Sequence, residues 1–343
     1  MTTLTPGKLK NLEKLANKKG VIAAAAMDQR GSLQKAIAKE KGCDPKEITA
    51  QMMSEFKTAV TKVLTPHATA VLLDPEFGLE AARQRASNAG LLLSYESTGY
   101  DQTSPGRFPQ LIPGWNVKKS IAAGANAVKI LLYYSPFEQK EINKRKHDWV
   151  EKIGRECVEN DIPYFLEFVG YATGGEDEKG IEYARKKPEI VTHSMEEFSK
   201  DRYHVDVLKV EVPINMKFVK GAETCKGESA YTRDEAKELF RKAAAVTQKP
   251  FIYLSAGVSD EEFRESLELA LQAGVHFNGV LCGRATWKEG IPVYAKSGVA
   301  ALERWLSDRG VQNIKALNAV LEKGAYPWHE KFGGRGKVEA RSR

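Results

Sequence analysis

Eight short apolar runs punctuate the chain, at residues 21–28, 70–74, 90–96, 127–133, 163–169, 205–213, 251–257 and 279–285, and amphipathic helical patterns fill the stretches between them. Near-continuous apolar strands read as buried on both faces, the habit of a parallel sheet covered by helices. Eight such units in one α/β chain predict a single (β/α)8 TIM barrel over residues 1–330. A doubly wound sheet is the competing architecture, but no glycine-rich dinucleotide turn follows the first run. Helix starts are also legible. Asp44-Pro45-Lys46-Glu47 supplies an N-cap, a proline at N1 and an acidic N3 ahead of an apolar stripe at Ile48, Met52, Phe56, Val60, Val63 and Leu64. Thr232 with Glu235, and Ser259 with Glu262, read as capping boxes. The charged stretch 171–193, with Gly174-Gly175, is expected to include an extended loop above the fifth strand.

Composition changes this picture little. The 343 residues are 42% hydrophobic and 28% charged, ordinary for a globular chain. No stretch is apolar for the length of a membrane span, and the polar N-terminus lacks the apolar core of a signal peptide, so the expected location is cytoplasmic, with no membrane partner. The net charge of +7 raises the question of nucleic acid, but basic and acidic residues interleave along most of the chain, as on a solvated surface. The exception is residues 331–343, where five basic residues stand against Glu339 among three glycines; this predicts a flexible basic tail. Four scattered cysteines and six dispersed histidines show no ligand spacing, so neither a metal nor a cofactor is expected.

The chemistry-bearing signal lies inside the strands. Lys209 interrupts the apolar run 205–213, Lys129 interrupts 127–133, and Glu167 interrupts 163–169. A buried ammonium is costly and is rarely kept without a partner or a task. In isolation, a strand lysine reads equally well as one whose head snorkels out at the strand end. Three ionisable groups in three successive strands, however, converge if all point into one barrel. A lysine there can attack a carbonyl to form an imine, a neighbouring lysine favours its neutral form by repulsion, and a carboxylate moves protons. Polar residues also collect at the C-terminal strand ends where barrel chemistry sits: Asp28, Gln29 and Arg30, then Asp74, Glu76 and Glu96. Ser255 and Gly257 at the seventh strand, with Gly283 and Arg284 at the eighth, read as an anion site.

These residues lie within strings that carry a resemblance from about Leu12 to Trp328: Asp28-Gln-Arg-Gly31, Asp74-Pro-Glu-Phe-Gly78, Tyr95-Glu-Ser-Thr-Gly-Tyr-Asp101, Val128-Lys-Ile-Leu-Leu-Tyr-Tyr134, Asp206-Val-Leu-Lys-Val-Glu-Val-Pro213, Tyr253-Leu-Ser-Ala-Gly-Val258 and Phe277-Asn-Gly-Val-Leu-Cys-Gly-Arg-Ala-Thr-Trp287. The chain resembles the tagatose 1,6-bisphosphate aldolases, class I enzymes of the (β/α)8 type. The resemblance implies Lys209 as the Schiff-base lysine, Glu167 as the proton-transferring carboxylate and Lys129 as the second active-site lysine. It implies Asp28 as the carboxylate that orients sugar hydroxyls. Gln29 and Arg30 stand as substrate-binding candidates beside it, and Ser255, Gly257, Gly283 and Arg284 match positions that hold the C1 phosphate. The implied reaction is reversible cleavage of a ketose bisphosphate to dihydroxyacetone phosphate and glyceraldehyde 3-phosphate. Two alternatives are an aldolase for sulfofructose 1-phosphate and a sugar-phosphate-sensing regulatory protein with little turnover. Homo-oligomer formation is left open. The glycine-rich segment after Glu167 and the basic tail depart from the family pattern.

Overall fold

Each apolar run becomes a strand, and the strands pair edge to edge until the last meets the first. The computed structural model describes residues 4–97 and 105–341. Its strands are β1 (Ile22–Ala26), β2 (Ala70–Leu73), β3 (Gly90–Ser94), β4 (Ala127–Tyr133), β5 (Tyr164–Val169), β6 (Val207–Glu211), β7 (Phe251–Leu254) and β8 (Gly279–Cys282). All pairings are parallel, β8 closes on β1, and the sheet is a closed barrel. Helices α1 (Pro6–Leu15), α2 (Gly31–Lys41), α3 (Ala50–Leu64), α4 (Leu79–Gln84), α5 (Val117–Ala122), α6 (Lys140–Glu159) and α7 (Ile181–Phe198) occupy the first part of the chain. They are followed by α8 (Arg233–Ala245), α9 (Asp260–Gln272), α10 (Arg284–Trp287), α11 (Gly290–Trp305), α12 (Val311–Gly324) and α13 (Arg335–Arg341). Among the described residues, no helix is long and apolar enough to cross a membrane.

Alternation along the strands sorts the core into two layers. Ile22, Ala24, Ala26, Leu72, Phe165 and Val207 belong to one apolar cluster inside the barrel, whereas Ala25, Val71, Leu166 and Leu208 pack outward with the helices. The inner cluster continues through Leu12, Leu15 and Trp328 at the floor, where α1 is tied in by Lys8 Nζ on Asp206 at 2.7 Å. The inward parity of Phe165 and Val207 carries up to Glu167 and Lys209, and that of Ala127 to Lys129, so the ionisable groups point into the same interior near its upper end.

One local expectation is revised. Asp44 does cap, with Glu47 completing a capping box, but it caps a single 3-10 turn (Pro45–Glu47). Ile48 is extended and α3 starts only after Thr49, whose side chain accepts from Met52 N at 3.2 Å. The loop after β5 ends at Gly180, and α7 runs on through Pro188. Proline there cannot donate to the Ala184 carbonyl, which instead accepts the Tyr231 hydroxyl at 2.5 Å. At the end of the chain follow a 3-10 turn (Trp328–Phe332) and α13, with Val338 buried in the floor cluster.

Candidate active site

The strand ends enclose a cavity of about 640 Å³ at the C-terminal mouth of the barrel. All ten residues singled out from the sequence line it: Asp28, Gln29, Arg30, Lys129, Glu167, Lys209, Ser255, Gly257, Gly283 and Arg284. At its base is a chain of alternating charges. Lys209 Nζ donates to Glu167 Oε2 at 2.8 Å, and the same oxygen lies 2.7 Å from Lys129 Nζ. Lys129 Nζ also contacts Asp28 Oδ2 at 2.8 Å and Glu96 Oε1 at 3.2 Å. The register of β5 and β6 sets Glu167 directly beside Lys209.

This arrangement differs from the expected lysine pair. Glu167 stands between the two cations, and Lys129 has three carboxylates within salt-bridge distance. Burial works against the Lys129 ammonium, yet Asp28, Glu167 and Glu96 together hold its pKa well above the usual lysine range. Burial likewise works to raise Glu167, but Lys129 and then Lys209 hold its carboxyl below the usual range. Asp28 is depressed for the same reasons, burial being outweighed by Lys129 and Lys209. Glu96 goes the other way: its burial outweighs Lys129 and Arg30, and its carboxyl is raised.

Past Ala26 the β1 exit keeps one backbone bond to β2, from Met27 N to Leu72 O at 2.7 Å, and its carbonyls are met by side chains. Trp287 Nε1 donates to Ala26 O at 3.0 Å, and Lys57 Nζ donates to Met27 O at 2.6 Å and to Gln29 O at 2.8 Å. Arg30 is buried, with Glu76 at 2.6 Å and the Glu96 carbonyl at 2.5 Å, so its guanidinium braces the β1, β2 and β3 exits. Asp74 does not line the cavity. It pairs with Lys57 and accepts from the backbone N–H groups of Glu76 at 3.0 Å and Phe77 at 2.9 Å.

Two strands round the barrel from β1, beyond β8, the β7 exit turns through Ala256 (φ 48) and Gly257 (φ 81). Gly257 suits its left-handed backbone, and its bare Cα lets the Arg284 guanidinium lie close, 2.8 Å from where a Cβ would sit. Arg284 is exposed at the cavity and lies against this turn, while Gly283 lets β8 approach Ala26 O, 2.8 Å from where a Cβ would sit. The anion-site candidates are therefore gathered at one edge of the mouth.

Glu96 reaches the site as its strand-end position predicts, and three further participants at or behind the mouth, Arg107, Glu178 and Lys57, escape the sequence reading. Arg107 lies over the Tyr133 ring at 5.3 Å and the Tyr171 ring at 4.7 Å, and it pairs with Glu178 at 2.7 Å. Arg107 and Glu178 sit in loops with no periodicity to mark them. Lys57 falls on the apolar stripe of α3, beside Phe56 and Val60, and that placement was its available signal. In the string Tyr95–Asp101, Tyr95 is buried and Glu96 reaches the site, whereas Thr98, Gly99, Tyr100 and Asp101 lie outside the described residues. Among the described residues, no group of three His, Cys, Asp or Glu side chains is arranged to hold a metal ion.

The model of the DeoC/LacD family aldolases matches residues 22–289. Tagatose 1,6-diphosphate aldolase 2 of Enterococcus faecalis is 49% identical over 331 residues, covering 96% of this chain and 98% of that protein. Tagatose 1,6-diphosphate aldolase of Listeria monocytogenes serotype 4a is 48% identical over 333 residues, 97% of each chain. Among solved structures, fructose-bisphosphate aldolase from Plasmodium falciparum superposes with a TM-score of 0.64 at 15% identity, covering 92% of this chain and 96% of that one. A Schiff base-forming fructose-1,6-bisphosphate aldolase superposes with a TM-score of 0.54 at 16% identity, covering 91% and 98%. Those two likenesses carry the barrel shape. The family match spans the strands that hold the charge chain, and this protein belongs to the DeoC/LacD family of aldolases.

Proposed function

We propose that the protein is a class I aldolase that reversibly cleaves D-tagatose 1,6-bisphosphate to dihydroxyacetone phosphate and D-glyceraldehyde 3-phosphate through a Schiff base on Lys209. The observation that carries this reading is the buried Lys209 ammonium, hydrogen-bonded at 2.8 Å to a carboxylate that also touches Lys129. Passing its proton to Glu167 leaves Lys209 a neutral amine, free to attack the C2 carbonyl. Loss of that positive charge removes one of the two cations that hold Glu167 ionised, so the carboxyl is better able to keep the proton.

Glu167 then returns protons as the carbinolamine loses water to a protonated imine. Abstraction of the C4 hydroxyl proton breaks the C3–C4 bond, and the electron pair moves into the imine to give an enamine. Glyceraldehyde 3-phosphate leaves, C3 is protonated, and water attacks the imine to release dihydroxyacetone phosphate and the free amine. Asp28, fixed by Lys129, orients the hydroxyls around that bond. Ser255, Gly257, Gly283 and Arg284 receive the C1 phosphate, with Gln29 and Arg30 shaping the adjoining wall.

Borohydride reduction in the presence of dihydroxyacetone phosphate tests the reading. The expected product carries the triose on the peptide containing Lys209, and Lys209→Ala neither traps nor cleaves. Label on another lysine, or turnover by Lys209→Ala at the wild-type rate, would sink it.

A further inference from the structure

Lys57 is fully buried on α3, on a face where Met53, Phe56, Ala59, Val60 and Leu64 are apolar and Thr61 is the other polar residue. Packing alone calls for a hydrophobic side chain there, and a lysine bears a desolvation cost that lowers its pKa despite Asp74. Its ammonium has three donors, and each meets an acceptor: Met27 O, Gln29 O and the Asp74 carboxylate. The two carbonyls flank Asp28. They belong to the strand exit just past Ala26, so without Lys57 the buried Met27 carbonyl and the partly buried Gln29 carbonyl would lose this partner. Asp74 in turn is held by two backbone N–H groups of the β2 exit.

We propose that Lys57 is a positioning residue for the aldol cleavage: its ammonium clamps the Met27–Asp28 and Gln29–Arg30 peptide units, one before Asp28 and one after it, and so aims that carboxylate at Lys129 and the substrate hydroxyls. This inference rests on the proposed role of Asp28. Lys57 touches neither the cavity nor the reacting atoms; it acts through the backbone. The competing account is an ion pair that only joins α3 to β2.

The test uses the double variant Lys57→Met/Asp74→Asn, which leaves no buried charge unpaired and keeps an acceptor for Glu76 and Phe77. Imine formation is read by borohydride trapping of dihydroxyacetone phosphate, and cleavage by single-turnover kinetics with tagatose 1,6-bisphosphate. Trapping on Lys209 should persist while the cleavage rate falls by on the order of tenfold to a hundredfold, the cost of misplacing a group by about an ångström. In an Asp28→Asn background the same double variant should cost nothing further, because the carboxylate it aims is already gone. Equal losses in both backgrounds, parallel loss of trapping and cleavage, or an unchanged cleavage rate would each overturn the proposal. If the double variant does not fold, Lys57→Arg carries the test: a planar guanidinium keeps the charge but cannot occupy the same point between two carbonyls, so cleavage should fall with trapping retained, and wild-type cleavage would overturn the clamp. A wild-type protein that fails to trap triose on Lys209 instead overturns the aldolase reading, a separate outcome.

Discussion

Lys129→Met removes the one cation that three buried carboxylates share. In the native protein Asp28, Glu167 and Glu96 lie 2.8, 2.7 and 3.2 Å from its ammonium, and none of the four side chains is more than 12% exposed. Methionine fills nearly the same volume, so the perturbation is chiefly electrostatic. Lys209 still faces Glu167, and Arg30 still faces the Glu96 carbonyl, but Asp28 is left without its hydrogen-bonded partner. Breaking a buried ion pair from one side costs about 3 to 5 kcal/mol, and that is the expected loss in a urea titration at pH 7. The pH dependence follows from the signs of the shifts. Asp28 and Glu167 have depressed folded pKa values, so they contribute stability above their unfolded values of 3.8 and 4.5 and lose it as pH falls through the folded values. Lys129 is raised, so its contribution is present below 10.5 and is lost only as pH rises through a still higher folded value. In the variant the depressing charge is gone, burial raises the carboxyls, and protonation relieves their repulsion. The stability deficit should therefore shrink between pH 7 and pH 4. A variant as stable as the wild type at neutral pH, or a deficit that stays constant on acidification, refutes the account of Lys129 as the charge that holds this cluster.

Glu167→Gln should still bind the ketose bisphosphate but lower the single-turnover cleavage rate by roughly 10²- to 10⁴-fold, the range of lost general acid–base catalysis; an unchanged rate excludes the role. Arg284→Ala should raise KM for the bisphosphate on the order of tenfold to a hundredfold, since a charge-assisted hydrogen bond is worth about 1.5 to 3 kcal/mol. Its response to unphosphorylated dihydroxyacetone should change less, and equal losses for the two ligands would mean that Arg284 supports the Gly257 turn rather than a phosphate.

Strand chemistry was legible because strands announce both their burial and their direction. Lys129, Glu167 and Lys209 each break an apolar run, and a period of two tells which way each points relative to its neighbours. The same logic failed at Lys57. In α3 an apolar stripe is wide, its edges tolerate long polar side chains, and a lysine beside Phe56 reads as surface unless its three acceptors are known. Lys146 in α6 was hidden the same way: it is buried against the Tyr171 hydroxyl at 2.9 Å, and burial pushes its pKa down to about 7. Arg107 was hidden for another reason, since a loop carries no period and its stacking partners come from β4 and the β5 exit.

The order of the missed residues has a physical cause. A (β/α)8 barrel opens its site where the strands stop, and a strand that stops leaves carbonyls without a ladder. The groups that satisfy those carbonyls come from whatever packs next to the exit. At β1 these are Trp287 of α10, which follows β8, and Lys57 of α3, far from Asp28 in sequence but adjacent in space. Substituents on the reacting side can thus be inferred strand by strand, whereas their supports depend on which helix face meets which strand end. Here that dependence is concrete: Asp28 reaches Lys129 from a segment whose backbone is held by a helix lysine, and the same lysine fixes Asp74, which turns the neighbouring exit. A change on the outer helix layer can therefore alter the chemistry of the mouth without touching the cavity wall.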